Sequence, residues 1–209
     1  MENNNLLYFL DGKPYINMTN ACTNSCVFCV RDQKEDVQGA KLWLSNEKNS
    51  VDDFISQIEV SKDKIKNQTE IVFCGYGEPL IRIDEVIALC KYLKENFPDI
   101  KIRINTNGHA NAIHKRNVAP ELAKYVDNIS ISLNGENEEI YNKVSNPKIE
   151  NAYEEVKRFI RACVEEKIPT TASIVVDVPN YPVNKERCEV IAKSLGAKFR
   201  AREFIVNGY

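Results

Sequence analysis

The chain has 209 residues, 43% of them hydrophobic, which is enough for one well-filled domain spanning residues 1–209. Lys and Arg number 28 against 30 Asp and Glu, a formal charge of −2 that leaves no basic footprint for gripping nucleic acid. No segment has the length of a membrane span, the N-terminus lacks a signal-peptide pattern, and seven cysteines without an export signal read as reduced thiols in a cytoplasmic protein.

The predicted elements alternate. Leu6–Leu10, the turn Asp11–Gly12 and Tyr15–Thr19 form an opening hairpin, and residues 1–14 belong to it as an extension of the domain that follows. A cysteine-bearing loop comes next, then a polar stretch, Ser45–Ser50. Phe54, Ile55, Ile58 and Ile65 give Val51–Lys66 an amphipathic helical pattern. Glu70–Cys74 is a strand, and Asp84–Asn96 a helix with Asp84 as its N-cap. Lys101–Thr106, Asn128–Leu133, Thr170–Val176 and Lys198–Ile205 continue the strands. Pro120–Tyr125, Ala152–Glu166 and Lys185–Leu195 are the helices between them, the last closed by Gly196. Six strands joined by crossovers long enough for parallel pairing predict an α/β fold over residues 15–205, either an incomplete barrel or a doubly wound sheet. In both, the active site lies beyond the C-terminal ends of the strands.

The unusual residues fall at those ends. Cys22, Cys26 and Cys29 are spaced C-x3-C-x2-C, with Phe28 before the last. Three thiolates that close can grip a metal centre, yet a closed structural site needs four ligands, so one position stays open for chemistry. Cys74–Pro79 (CGYGEP), Asn105–Gly108 (NTNG), Ser132–Gly135 (SLNG) and Asp177–Pro179 follow successive strands. Glycines beyond a strand let the backbone approach a ligand, and carbonyls with a carboxylate make a receptor for an ammonium group; a structural turn at Pro79 is the plain alternative. In NISISLN, the period of two puts Asn128, Ser130, Ser132 and Asn134 on one face. Polar groups on a covered parallel strand need partners, supplied by a polar ligand or by water.

Together these motifs resemble the radical S-adenosylmethionine superfamily, over about Tyr15 to Ile205. The resemblance implies a partial (β/α)6 TIM-like barrel, preceded by the short hairpin. It implies a [4Fe–4S] cluster on Cys22, Cys26 and Cys29, whose fourth iron binds the amine and carboxylate of S-adenosylmethionine. Reductive cleavage would then yield a 5′-deoxyadenosyl radical that abstracts hydrogen from a substrate. Gly75, Tyr76, Gly77 and Glu78 would hold the methionyl ammonium, with Tyr76 standing where the usual motif has glycine. Asn105, Asn107, Ser132 and Asn134 would meet the ribose or carboxylate, and the backbone at Phe28 and the apolar strand end at Val176 the adenine. An electron donor such as flavodoxin or ferredoxin is implied. The short chain and the CGYGEP wording are most similar to small radical SAM proteins associated with TatD-family nucleases, which implies a link to such a nuclease.

Two other readings stand beside it: an activase that installs a glycyl radical on a partner enzyme, and a non-catalytic zinc module with Cys74 as fourth ligand. Cys74 otherwise reads as a buried apolar residue, Cys90 and Cys163 as core, and Cys188 as half-buried. Arg31 follows the last cysteine and is a candidate partner for an anionic group. Arg200 and Arg202 share a face of the last strand, forming an anion site if that face points inward and solvated edge residues if it does not. His109 and His114 read as surface residues.

Overall fold

The structure is a computed structural model, and it describes residues 4–204. β1 (Leu7–Leu10) and β2 (Lys13–Ile16) form the antiparallel hairpin, and β2 then pairs in parallel with the rest of the sheet. After the cysteine loop, a two-residue ribbon of β3 (Asp36–Val37) and β4 (Ala40–Lys41) leads to α1 (Val51–Val60) and α2 (Lys62–Lys66). β5 (Glu70–Phe73), α3 (Ile83–Asn96), β6 (Lys101–Thr106), α4 (Ala110–His114), α5 (Ala119–Leu122) and β7 (Asn128–Ser132) follow. The chain continues through α6 (Glu138–Ser145), α7 (Ala152–Glu165), β8 (Thr170–Val176), α8 (Lys185–Ser194) and β9 (Lys198–Glu203). The strand order is β1-β2-β5-β6-β7-β8-β9, so the six parallel strands lie in chain order and the sheet stays open at β1 and β9. No helix among the described residues is long and apolar enough to cross a membrane.

Local chemistry explains where the helices begin. Ser50 Oγ accepts the Asp53 N–H while Asp53 Oδ2 accepts the Ser50 N–H, a capping box that starts α1. The single helix expected over Val51–Lys66 is broken at Ser61, whose backbone leaves the helical region. Asp84 is not the cap of α3: a 3₁₀ turn over Pro79–Arg82 carries the chain into the helix, and Glu78 caps that turn. Along α7, Val156, Phe159, Ile160 and Cys163 repeat at helical spacing and are all buried against the sheet.

The sheet has two unlike faces. Ile102, Ile104, Ile129, Ile131 and Ile174 point to the helices and are fully buried in one continuous core. The register places Arg103 beside Asn128, Asn105 beside Ser130, Ser130 beside Thr171 and Ser132 beside Ser173 on the opposite, inner face. A smaller cluster of Tyr8, Val37, Leu42 and Tyr76 closes the inner face at the β1–β2 end, and no cluster of that kind covers β7–β9 among the described residues. The three cysteines on helices, Cys90, Cys163 and Cys188, are all fully buried. Cys188 is therefore core, not half-buried, because its side of α8 faces the sheet.

Candidate active site

The cysteine loop is anchored at both ends. Asn17, fully buried at the end of β2, donates from Nδ2 to the Leu42 carbonyl at 2.7 Å. Farther along, the Ser25 N–H donates to Ser145 O (3.1 Å), the Val27 N–H to Val144 O (3.0 Å) and the Lys148 N–H to Thr23 O (2.8 Å). The loop thus lies across the C-terminal end of α6, an element the sequence reading passed over. The cue was present: Asn137 is an N-cap for α6, and Asn146 ends it in the left-handed region, at φ 42°.

Burial pushes all three thiols up, Cys26 to about 12, with the neighbouring thiols Cys29 and Cys22 adding to it. Against that work several donors. The Asn24 N–H reaches Cys22 Sγ at 3.4 Å, Asn107 Nδ2 reaches it at 3.7 Å, and the Arg31 backbone N–H serves Cys29. The Arg31 guanidinium favours the thiolate at every one of the three. It donates to Asn20 O at 3.4 Å, and its charge centre lies 6.0 Å from the centre of the Trp43 ring. A set of buried sulfurs already supplied with N–H donors and one cation fits thiolates bound to a positive metal centre, whose charge offsets the remaining burial cost. Among the described residues no three His, Cys, Asp or Glu side chains converge on a single ion.

The CGYGEP segment packs on this loop, and its glycines serve that packing. A Cβ at Gly75 would lie 2.0 Å from Asn17 Oδ1, and one at Gly77 2.2 Å from Thr19 O. Both glycines thus allow a close approach within the chain itself, to the Asn17 side chain at Gly75 and to the Thr19 and Ala21 backbone at Gly77. The Glu78 N–H donates to Ala21 O at 2.8 Å. The Glu78 carboxylate turns inward, accepting from the Leu80 N–H (3.0 Å), Thr106 Oγ1 (2.7 Å) and the Asn107 N–H (2.6 Å). Burial outweighs these three bonds and raises its pKa to about 7. The carbonyls of Gly75, Tyr76 and Gly77 accept no hydrogen bond among the described residues. Three consecutive free acceptors beside the cysteine loop fit an ammonium group. Tyr76, where a glycine was expected, is buried in the smaller cluster, with its ring edge-on to Trp43 and its hydroxyl on Lys34 O.

The polar residues of the next strand ends divide into two groups. Asn107 spends its side chain on Thr23 Oγ1 (2.8 Å) and Cys22, and Asn134, buried at φ 54°, spends its own on Ser145 Oγ (3.1 Å). Asn107 thus braces the cysteine loop directly, and Asn134 braces the end of α6 on which that loop lies. Asn105 and Ser132 remain half-buried on the inner face, Asn105 with a buried Oδ1 that lacks a partner. Phe28 is half-buried between the second and third thiols. Val176 lines a hollow of about 730 Å³ between the end of β8 and α8.

The surface placement expected for the histidines fails. His109 is fully buried, with Nδ1 2.9 Å from Thr23 Oγ1 and Nε2 2.9 Å from the Tyr141 hydroxyl. Desolvation lowers its pKa to about 4, so it is a neutral strut. His114 is half-buried on the Leu80 carbonyl at 2.7 Å. The polar partner that a buried His109 needs, Thr23, lies 86 residues away and could not be paired with it by spacing. Cys74 is half-buried, hydrogen-bonded to Asn105, its thiol raised by burial.

The model of the radical SAM superfamily matches residues 16–191. The chain is 34% identical over 134 residues to the dual-specificity RNA methyltransferase RlmN of Buchnera aphidicola subsp. Schizaphis graminum (strain Sg), covering 59% of this chain and 33% of that protein. It therefore spans about a third of the length of this curated relative. Among solved structures it superposes on Streptococcus suis SuiB bound to S-adenosylmethionine with a TM-score of 0.66 at 17% identity, covering 93% of this chain and 41% of that one. For a radical SAM methyltransferase from Sphaerobacter thermophilus the TM-score is 0.59 at 15% identity, covering 94% and 68%. These likenesses bear out the open, mostly parallel partial barrel.

Proposed function

The chain belongs to the radical SAM superfamily, and we propose from this premise that Cys22, Cys26 and Cys29 hold a [4Fe–4S] cluster and the Gly75–Gly77 carbonyls hold the ammonium of S-adenosylmethionine. Members of this superfamily are enzymes that use these two cofactors. When bound, they supply reductive cleavage of S-adenosylmethionine to a 5′-deoxyadenosyl radical that removes a hydrogen atom from the substrate. The observation that carries the reading is the donor set around the thiols: two N–H groups on Cys22, one on Cys29 and one guanidinium near all three.

The chain's own residues then have distinct tasks. Asn107, Thr23 and His109 fix the Cys22 end of the loop from the strand side, and Ser145 with Asn134 fix the Cys26 end. Glu78 ties the CGYGEP segment to β6, so that the free carbonyls and the thiols keep one spacing. Tyr76, Trp43 and the β3–β4 ribbon cover the inner face at one side. Asn105 and Ser132 are the polar groups left for the ribose or carboxylate. An electron donor such as flavodoxin or ferredoxin supplies the electron.

A second reading, methyl transfer to RNA, is favoured by the 34% identity to an RNA methyltransferase. Anaerobic reconstitution with iron and sulfide tests the first. The expected product with reductant and S-adenosylmethionine is 5′-deoxyadenosine; S-adenosylhomocysteine formed only when RNA is added would favour the second. A colourless protein with one tight zinc and neither product would sink both.

A further inference from the structure

The last strand shows which face Arg200 and Arg202 share, and both are exposed on it. The register pairs Thr171 with Lys198, Ser173 with Arg200 and Val175 with Arg202. Since Ser173 lies beside Ser132 and Thr171 beside Ser130, Arg200 and Arg202 stand on the inner face, while Ala201 packs toward the core on the helix side. Arg103 stands on the same face of β6, beside Asn128.

Charge on that face is one-sided. Glu70 is the carboxylate at the foot of β5, and it is already engaged by Arg103 Nε (3.4 Å) and Lys13 Nζ (3.8 Å). Arg200 and Arg202 enter no ion pair or hydrogen bond among the described residues. In a chain whose formal charge is −2, this excess is local. Two further features show that the face is fitted for a polar guest. Asn105 Oδ1 is buried there without a hydrogen-bond partner, and such a group is costly unless a ligand or water completes it. Ser130, Ser132, Thr171 and Ser173 line the same face between β6 and β9.

We propose that Arg200 and Arg202 bind a dianionic oxyanion group of the substrate, a phosphate or a dicarboxylate, on the inner face of the open barrel. Paired planar guanidiniums suit such groups because each offers two parallel N–H donors. The inference deepens the functional reading and relies on it for calling the guest a substrate. β9 is also an edge strand, and charged residues there can serve only to block pairing with another chain.

Calorimetry on the reconstituted protein separates these roles, with inorganic phosphate and succinate as probes and acetate as the monoanion control. One dianion should bind per chain, acetate far more weakly, and the preferred probe identifies the source of the oxyanion. R200Q and R202Q should each weaken it about tenfold or more, the size of one charge-assisted hydrogen bond. R158Q, on the outer side of α7, should leave it unchanged. No saturable binding, or equal weakening by R158Q, would overturn the proposal and leave the arginines as edge guards. Repeating the titration on C26A, which should lack the cluster, keeps the two readings apart. Dianion binding to C26A without S-adenosylmethionine cleavage by the parent protein would refute the functional reading alone. Cleavage without dianion binding would refute this inference alone.

Discussion

Replacing Gly77 with alanine tests the contact between the two loops that build the site. The new methyl carbon would lie 2.2 Å from Thr19 O and 2.6 Å from Ala21 O. Both are backbone atoms, so neither can rotate away. Real Cβ contacts stay above 3.0 Å, so the loops must part by about 0.8 Å. The Glu78 N–H to Ala21 O bond, now 2.8 Å, then stretches beyond the ~3.2 Å of a good hydrogen bond. Losing it costs about 1 kcal/mol, and overpacking adds ~1–3 kcal/mol. For a domain of this size, a total of ~2–4 kcal/mol lowers Tm by about 4–16 °C. Circular dichroism melts of the cluster-free protein, and iron per chain after anaerobic reconstitution, measure both consequences. Gly39→Ala is the control: nothing lies within 4 Å of its Cβ, but its φ of +81° costs ~1–2 kcal/mol, with iron loading intact. If G77A melted within ~2 °C of the parent and loaded iron fully, below the smallest expected shift, the close contact would not be what positions the loop.

Other outcomes follow from the same packing. Cys26→Ala should abolish iron uptake, whereas Cys188→Ala should keep it, as elemental analysis would show. Glu78 binds its proton more tightly folded than unfolded, so between pH 4.5 and about 7 stability falls as pH rises, by about 3 kcal/mol; urea melts of Glu78→Gln should lack this slope. His109 is the reverse: its folded pKa of about 4 lies below the usual 6.5, so stability is lost as pH falls through that window, again by about 3 kcal/mol. His109→Gln should resist acid better than the parent relative to its own neutral-pH stability. A steeper acid loss in His109→Gln would contradict its neutral burial.

Much of this arrangement was legible in the residues. Parallel strands read clearly because Ile and Val runs recur between helical patterns, and the strand-end loops bring the cysteine loop and the CGYGEP segment into contact as their positions in the chain suggested. The period of two in NISISLN and in KFRARE correctly grouped Ser130 with Ser132 and Arg200 with Arg202. It could not say which face looks inward, because only pairing with β8 decides that. Asn107 and Asn134 are hard to assign from sequence for a related reason: a polar residue at a strand end serves a ligand or the chain itself depending on what packs over it. Their partners, Thr23 and Ser145, belong to the cysteine loop and to the helix α6 that it crosses. The glycines of CGYGEP do mark a close approach, and within the chain it is to the Asn17 side chain at Gly75 and to the backbone of Thr19 and Ala21 at Gly77.

The anchoring of the cysteine loop on α6 also sets an order of events during synthesis. The thiols emerge within the first thirty residues, yet the carbonyls that receive the Ser25 and Val27 N–H groups belong to Val144 and Ser145, some 120 residues later. At ~5–20 residues per second, the ribosome leaves an interval of roughly 6–24 s in which the three sulfurs are made but unsheltered. A contact of such long range also forms late in refolding, because chain closure must precede it. Cluster insertion into the finished pocket, and protection of the thiols from oxidants until then, are therefore separate problems for the cell, divided by the time it takes to build half of the barrel.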